Sequence, residues 1–298
     1  RGGWRTTCAA SSLWRDYVTF KVKELTDKHK LDGLYLDVSR SVGCRNPAHG
    51  CGWWNNEKKL REREVNVFEM RELYKRIYTH FKTGGRDKVI FCHGADMGAL
   101  PYIDVFTQGE SWCKERNTGY KRLSPDFYRT VVARIQYGMP FTFYAYHQYS
   151  WRGGRNPVTR ATSADVMMMG MQFPNHFNVS DGDGVVPSMK LWKFTDPFFA
   201  TAKFYPYWDD ANPAKTDKAQ LFAATYKYRD KNKAVIFVSN WNYSSVNGTV
   251  SIDFKKLGFK PKSIQMVDVL TEKSRGLPIS DKVSASIPKR DFRAIVLE

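Results

Sequence analysis

Apolar positions along the first half of the chain recur with two alternating periods. In LWRDYVTFKVKELTDKHK, Leu13, Tyr17, Phe20 or Lys21, Glu24 and Leu25 fall at helical spacing, and Ser11 or Ser12 is placed to cap the start. The helix runs into LDGLYLD, a short apolar run of the kind that forms a parallel strand buried on both faces. VNVFEMRELYKRIYTHF follows as a second amphipathic helix, with Phe68, Leu73, Ile77 and Phe81 as its inner side and Gly84–Gly85 as its stop. The order then repeats: strands at KVIFCHG and YIDVFTQGE, a helix opened by Ser-Pro in SPDFYRTVVARIQYG, a strand at MPFTFYAYHQ, and a helix at TSADVMMMGMQF whose methionines suit core packing. VPSMKLWKFTDPFFATAKFYPYW reads as helical with a break at Asp196-Pro197.

Strand and helix in alternation predict a parallel sheet and an α/β class, and the architecture expected is a (β/α)8 TIM-type barrel over residues 1–215. Four strands are clear, and WRTTCAA and HFNVSDG are candidates for two more. Eight are needed to close a barrel at normal tilt, so this segment is expected to be the later portion of one whose early strands lie upstream. From about Gln220 the texture changes to short alternating runs (LFAATYKYR, KAVIFVSNW, GTVSIDF, SIQMVDVL, KVSASI, FRAIVLE) between polar turns, which predicts an antiparallel β-sandwich at 216–298. The polar, Pro-containing ANPAKTDK is the expected linker.

Composition narrows the function classes. The formal charge is +17, which favours an anionic partner, but the basic residues are scattered through the chain and no nucleic-acid motif accompanies them; nucleic acid is not the expected partner. No apolar run of about 18 residues exists, so no membrane span is expected. The start RGGWRTTC has neither an initiator Met nor an apolar signal core, as in a processed or truncated chain. Cysteines number five, an odd count. Cys44 and Cys51 bracket the turn-rich RNPAHG and are the disulfide candidates, and a disulfide implies a secreted or periplasmic setting. The rival use of this loop is a metal site on Cys44, His49 and Cys51; a fourth ligand at suitable spacing is missing nearby, so no metal and no cofactor are expected. Sequons stand at Asn178, Asn242 and Asn247.

Parallel strands bring their carboxyl ends to one face, and the residues just past them are Asp37, His93 with Asp96, Glu110, and His147 with Gln148. Taken singly, each of these is an ordinary capping or buried polar residue; together they make a polar ring. Aromatic residues cluster in the same loops, and Trp54, Trp112, Tyr146 and Trp151 offer rings on which a sugar face can stack. Two carboxylates from separate strands are what glycoside hydrolysis requires. Asp37 suits the ionised role and Glu110, beside Phe106 and Trp112, the protonated acid/base role, with His93, Asp96, Trp112, Tyr146, His147, Trp54 and Trp151 as substrate contacts.

Cys8, LDGLYLD, CRNPAHGCGW, MRELYKRIY, FCHG and QGE together resemble glycoside-hydrolase-like proteins related to the catalytic domain of glycoside hydrolase family 123. The resemblance spans most of the chain, including a trailing β-sandwich that ends in PKRDFRAIVLE, and it implies a (β/α)8 barrel, an extracellular or periplasmic setting and action on a glycan. That family resembles N-acetylgalactosaminidases that use an adjacent Asp-Glu pair, and no Asp-Glu step occurs here, so that mechanism does not carry over. Asp37 after a fourth strand and Glu110 after a sixth are instead similar to retaining α-glycosidase barrels, in which the earlier carboxylate is the nucleophile. The function expected is a glycoside hydrolase acting on an acidic, sulfated or amino-sugar glycan; the alternative is a non-catalytic carbohydrate-binding protein on a degenerate barrel.

Overall fold

In the computed structural model the first helix, α1 (Ser12–His29), is opened by Ser11, whose hydroxyl accepts from the Trp14 N–H at 3.4 Å. It is closed by Lys30 in the left-handed region, whose N–H reaches the Thr26 carbonyl. The structure describes residues 7–37, 39–83, 87–95, 97–108, 126, 141–145, 178–180, 190–191, 193–197, 201–242, 244–289 and 291–298. They fall into two compact units, the first holding the described residues up to Gln108 together with Phe141, the second the remainder.

The helical period over α1 is realised with the opposite face inward. Trp14, Val18 and Val22 pack on the core and Thr26 is buried, bonded through its hydroxyl to His80 at 3.1 Å, whereas Leu13, Tyr17, Phe20 and Leu25 are exposed. The 14–18–22–26 row is the straighter stripe, and it lies against α2 (Val67–Lys82). In α2 the expected Leu73, Ile77 and Phe81 are buried, joined by Tyr74, but Phe68 in the first turn is exposed.

The three strands expected in the first unit, at LDGLYLD, KVIFCHG and YIDVFTQGE, are parallel. β1 (Gly33–Leu36) pairs with β6 (Val89–His93), and β6 with β7 (Val105–Gln108). Among the described residues β1 lies at the edge of its sheet, and Tyr35 is exposed, so it is not buried on both faces; that would need an element packed against each face. Between β1 and α2 lie two small antiparallel pairs, β2 (Gly43–Cys44) with β5 (Glu64–Val65), and β3 (Trp53–Asn55) with β4 (Leu60–Glu62). The β6–β7 turn is held by Asp104, which accepts from the Ile90 N–H at 2.7 Å and pairs with Lys82 at 3.0 Å.

β8 (Phe141–Ala145) and β9 (Asn178–Ser180) form a parallel pair, which puts strands in two of the expected segments. WRTTCAA forms no strand among its described residues, and the helices expected in SPDFYRTVVARIQYG and TSADVMMMGMQF lie outside the described residues apart from Asp126. No closed barrel is formed by the described residues. The β-rich region is two antiparallel sheets. The larger is ordered β10 (Ala202–Tyr205), β12 (Leu221–Tyr228), β13 (Ala234–Asn240), β18 (Phe292–Leu297), β15 (Ile264–Asp268), β16 (Lys273–Leu277); the smaller is β11 (Ala214–Thr216), β14 (Val246–Ile252), β17 (Lys282–Ile287). A one-turn helix, α3 (Phe254–Leu257), follows β14. Every residue of β13 is buried: Ile236 and Val238 face the cluster with Val250, Val283 and Ile295, while Val235 and Phe237 face Tyr226 and Phe292.

The all-β region starts earlier than residue 216. β10 pairs β12 and β11 pairs β14, so the expected linker carries a strand. Buried Asn212 makes this possible, bonding the Ala223 carbonyl, the Pro206 carbonyl, the Ala214 N–H and the Thr225 hydroxyl. A polar, Pro-containing sequence does not distinguish such a buried turn from a solvated linker.

Candidate functional site

The parallel register sets Leu36 beside Cys92, so the next residues, Asp37 and His93, emerge together at the carboxyl ends of β1 and β6. His93 Nδ1 lies 2.9 Å from Asp37 Oδ1, and the Tyr35 hydroxyl donates to the same oxygen at 3.2 Å. A carboxylate can only accept, so Nδ1 carries the proton in this pair. The Asp37 side chain is 61% exposed while that of His93 is 11% exposed: an accessible carboxylate stands on a buried support. The loop after β1 is tied to β6 by the Ser39 N–H to the His93 carbonyl at 3.0 Å, and the Tyr74 hydroxyl donates to the Ser39 carbonyl at 3.0 Å. Helix, loop and strand end thereby fix one another around Asp37.

Of the other expected site residues, Asp96, Glu110, Trp112, Tyr146, His147 and Trp151 lie outside the described residues. Trp54 stands on the β3–β4 hairpin with Trp53, both more than half exposed. Its turn is an Asx turn, with Asn55 Oδ1 accepting from the N–H groups of Glu57 and Lys58 at 3.0 Å. Arg61 ties the hairpin to the preceding segment by donating to the carbonyls of Cys51 at 2.9 Å and Gly52 at 2.8 Å.

Cys44 and Cys51 are not bonded to each other; Cys8, Cys44 and Cys51 are all free thiols. The thiols face other partners. Cys51 Sγ is 3.5 Å from Cys8 Sγ, and Cys44 Sγ is 3.6 Å from His49 Nδ1. The donor atoms of Cys8, Cys44 and His49 all lie within 4.8 Å of one another. The Asn46 N–H, with His49 and the neighbouring thiols, pulls the Cys44 thiol down to about 7, whereas burial, with Cys8 and Cys44 beside it, pushes Cys51 up to about 12. Sequence reading missed Cys8 as a member of this cluster because it lies 43 positions before Cys51, far outside the spacing of a local motif. With the disulfide absent, the secreted or periplasmic expectation rests on the family resemblance alone.

A concavity of about 540 Å³ in the second unit is lined by Lys190, Lys193, Lys233 and Tyr228, but Glu272 and Glu298 line it too. Lys233 pairs with Glu298 and Lys190 approaches Glu272 at 3.9 Å, so it is not a one-sign cleft for a polyanion. Among the described residues no helix is long and apolar enough to cross a membrane.

A family model described as Glycoside hydrolase 123, C-terminal domain, matches residues 187–273. No curated protein sequence matches the chain. Solved structures with a similar fold include a noncanonic maltogenic α-amylase from Thermotoga neapolitana, at 11% identity and a TM-score of 0.59, covering 97% of this chain and 67% of that one. A GH27 β-L-arabinopyranosidase from Geobacillus stearothermophilus is similar at 11% identity and a TM-score of 0.51, covering 95% and 61%. An α-amylase from Anoxybacillus is similar at 11% identity and a TM-score of 0.50, covering 95% and 62%. The chain thus spans about two thirds of the length of the solved structures it matches. Over residues 187–273 the chain is similar to the C-terminal domain of glycoside hydrolase family 123.

Proposed function

We propose that the chain is a glycoside hydrolase in which Asp37 and Glu110 act as the carboxylate pair, Asp37 ionised and Glu110 as acid/base. The observation that carries this reading is the Asp37–His93 pair. An accessible carboxylate, oriented by a buried imidazole at the carboxyl ends of adjacent parallel strands, is placed where barrel enzymes hold catalytic groups. His93 positions the carboxylate, and the exposed Trp54 is a stacking platform for a sugar ring. The substrate class favoured by the formal charge of +17 is an acidic or sulfated glycan, with amino-sugar glycans second through the similarity to family 123. The proposed setting is secreted or periplasmic.

The test is a panel of aryl glycosides and anionic polysaccharides, with wild-type protein beside Asp37→Asn and Glu110→Gln. The reading expects each variant to lose about 10²- to 10⁴-fold in turnover while retaining glycan binding. Glycan binding by wild type without turnover on any substrate, unchanged in both variants, would leave a carbohydrate-binding protein. For an active enzyme, the anomer first formed, read by NMR, reports retention or inversion.

A further inference from the structure

We propose that Cys8, Cys44, His49 and Cys51 form a structural zinc site in the first unit. The ligand set is one of the common closed, four-coordinate combinations for Zn²⁺, three thiolates and an imidazole. With Zn–S near 2.3 Å and Zn–N near 2.0–2.1 Å, tetrahedral geometry places two sulfurs about 3.8 Å apart and a sulfur and a nitrogen about 3.6 Å apart. The separations observed are 3.5 Å for Cys8–Cys51 and 3.6 Å for Cys44–His49 Nδ1; the donor atoms of Cys8, Cys44 and His49 already lie within 4.8 Å of one another, and Cys51, beside Cys8, completes the set as the ion draws the four together. A disulfide would bring two sulfurs to about 2.05 Å, and Cys8, Cys44 and Cys51 are free thiols.

The surroundings suit a metal centre. His49 and Cys51 sit on a loop already closed by three backbone bonds, His49 N–H to Asn46 at 3.1 Å, Gly50 N–H to Pro47 at 2.9 Å and Cys51 N–H to Asn46 at 3.2 Å. Gly50 and Gly52, at φ 72 and 76, turn the chain sharply on either side of Cys51. The Asn46 N–H points at Cys44 Sγ at 3.4 Å, a bond that stabilises a thiolate. The Asn66 side-chain amide is 3.5 Å from both Cys8 Sγ and Cys51 Sγ, and rotated end for end it gives those thiolates N–H donors. On binding, Zn²⁺ takes the three thiolates and the thiol protons pass to solvent.

The site has structural work to do. Cys8 lies just before the α1 cap, with the Ser11 N–H bonded to its carbonyl at 3.2 Å, and the other three ligands lie in the loop between β1 and α2. That loop has little apolar burial of its own: Trp53, Trp54, Leu60 and Val65 are all exposed. An ion held by four side chains supplies the cross-link that a core does not. With four protein ligands the site has no open position for substrate, which makes it structural.

Zinc content of the full chain, purified under reducing conditions without chelator, is the first measurement. One zinc per chain is expected, falling to near zero in Cys44→Ser and His49→Ala, unchanged in Cys92→Ser, and bound about 10- to 100-fold more weakly in Asn66→Ala. Should a ligand variant fail to fold, wild-type protein exchanged with Co²⁺ answers alone: tetrahedral d–d bands with thiolate charge-transfer absorption support the site. Protein that is metal-free and gives no such bands with added Co²⁺ overturns it. A Cys8–Cys51 disulfide in the protein as purified under reducing conditions, seen as an intact mass two hydrogens (about 2 Da) low and mapped by peptide analysis, overturns it as well.

Discussion

Strands β13 and β1 have equally apolar sequences and opposite fates. AVIFVSN is buried at every residue, whereas GLYL has no fully buried residue and turns Tyr35 to the outside. The difference lies in neighbours. β13 is flanked by β12 and β18 and covered on both faces, while β1, among the described residues, lies at the edge of its sheet beside β6. Apolar burial supports both regions, the β-rich one through its covered strands and the first unit through the cluster of Leu73, Ile77, Phe81 and Ile90, to which β1 contributes only partly buried residues. The comparison is sharpest at Phe237, fully buried among Tyr226, Phe292 and Phe194. Phe237→Ala should cost about 3–5 kcal/mol. Tyr35→Ala, at the edge, should cost under about 1 kcal/mol. Denaturant unfolding measures both, and equal losses would break the contrast.

The next effect tests whether buried polar groups matter as much as apolar ones in the β-rich region. Asn212→Ala leaves the Ala214 N–H, the Ala223 carbonyl and the Thr225 hydroxyl without their partner, and about 1–3 kcal/mol should be lost. Hydrogen exchange should speed first at β10 and β11, the two strands this side chain holds at the edges of their sheets.

What the chain discloses before folding follows the same division. The six short apolar or alternating runs of the β-rich region all form strands: β17 declares its inner face by period two, while β12 and β13, buried almost throughout, are legible as short apolar runs bounded by polar turns. β16 was missed: KSRGL is exposed at nearly every position and carries no alternation. In the first half the parallel strands were legible, and with them the juxtaposition of Asp37 and His93, since both follow apolar runs and parallel strands align their ends. Which face of α1 turns inward was not legible, because two apolar stripes compete on one helix and only the packing of α2 chooses between them. The partners of Cys44 and Cys51 were hidden for a related reason: Cys8 reaches them through the path of the chain, which local spacing does not encode.

A smaller effect probes the polar ties of the first unit. Lys82 pairs with Asp104 at 3.0 Å and Asp87 at 3.2 Å. Burial works against its charge, but those hydrogen bonds outweigh burial and hold the ammonium above its ordinary value of 10.5. A group raised on folding stabilises fully below its unfolded value and loses that contribution as pH rises through the folded one. Lys82→Ala should therefore cost about 1 kcal/mol at neutral pH, and the gap between wild type and variant should narrow only above pH 10.5. A gap that closes between pH 6 and 8 would mean that another group sets the stability there.

The smallest effect is expected at the stripe that sequence periodicity favoured. Leu13, Tyr17 and Phe20 lie along the exposed face of α1, and Leu13 is 80% exposed. Leu13→Lys removes little burial and adds a residue of comparable helix propensity, so stability should change by less than about 0.5 kcal/mol. Val18→Ala, one turn along on the face packed against the core, should cost more, about 1 kcal/mol, although it deletes fewer atoms. The ordering of these two variants in denaturant unfolding is the test: a larger loss at Leu13 than at Val18 would mean that the helix in solution turns its other face inward.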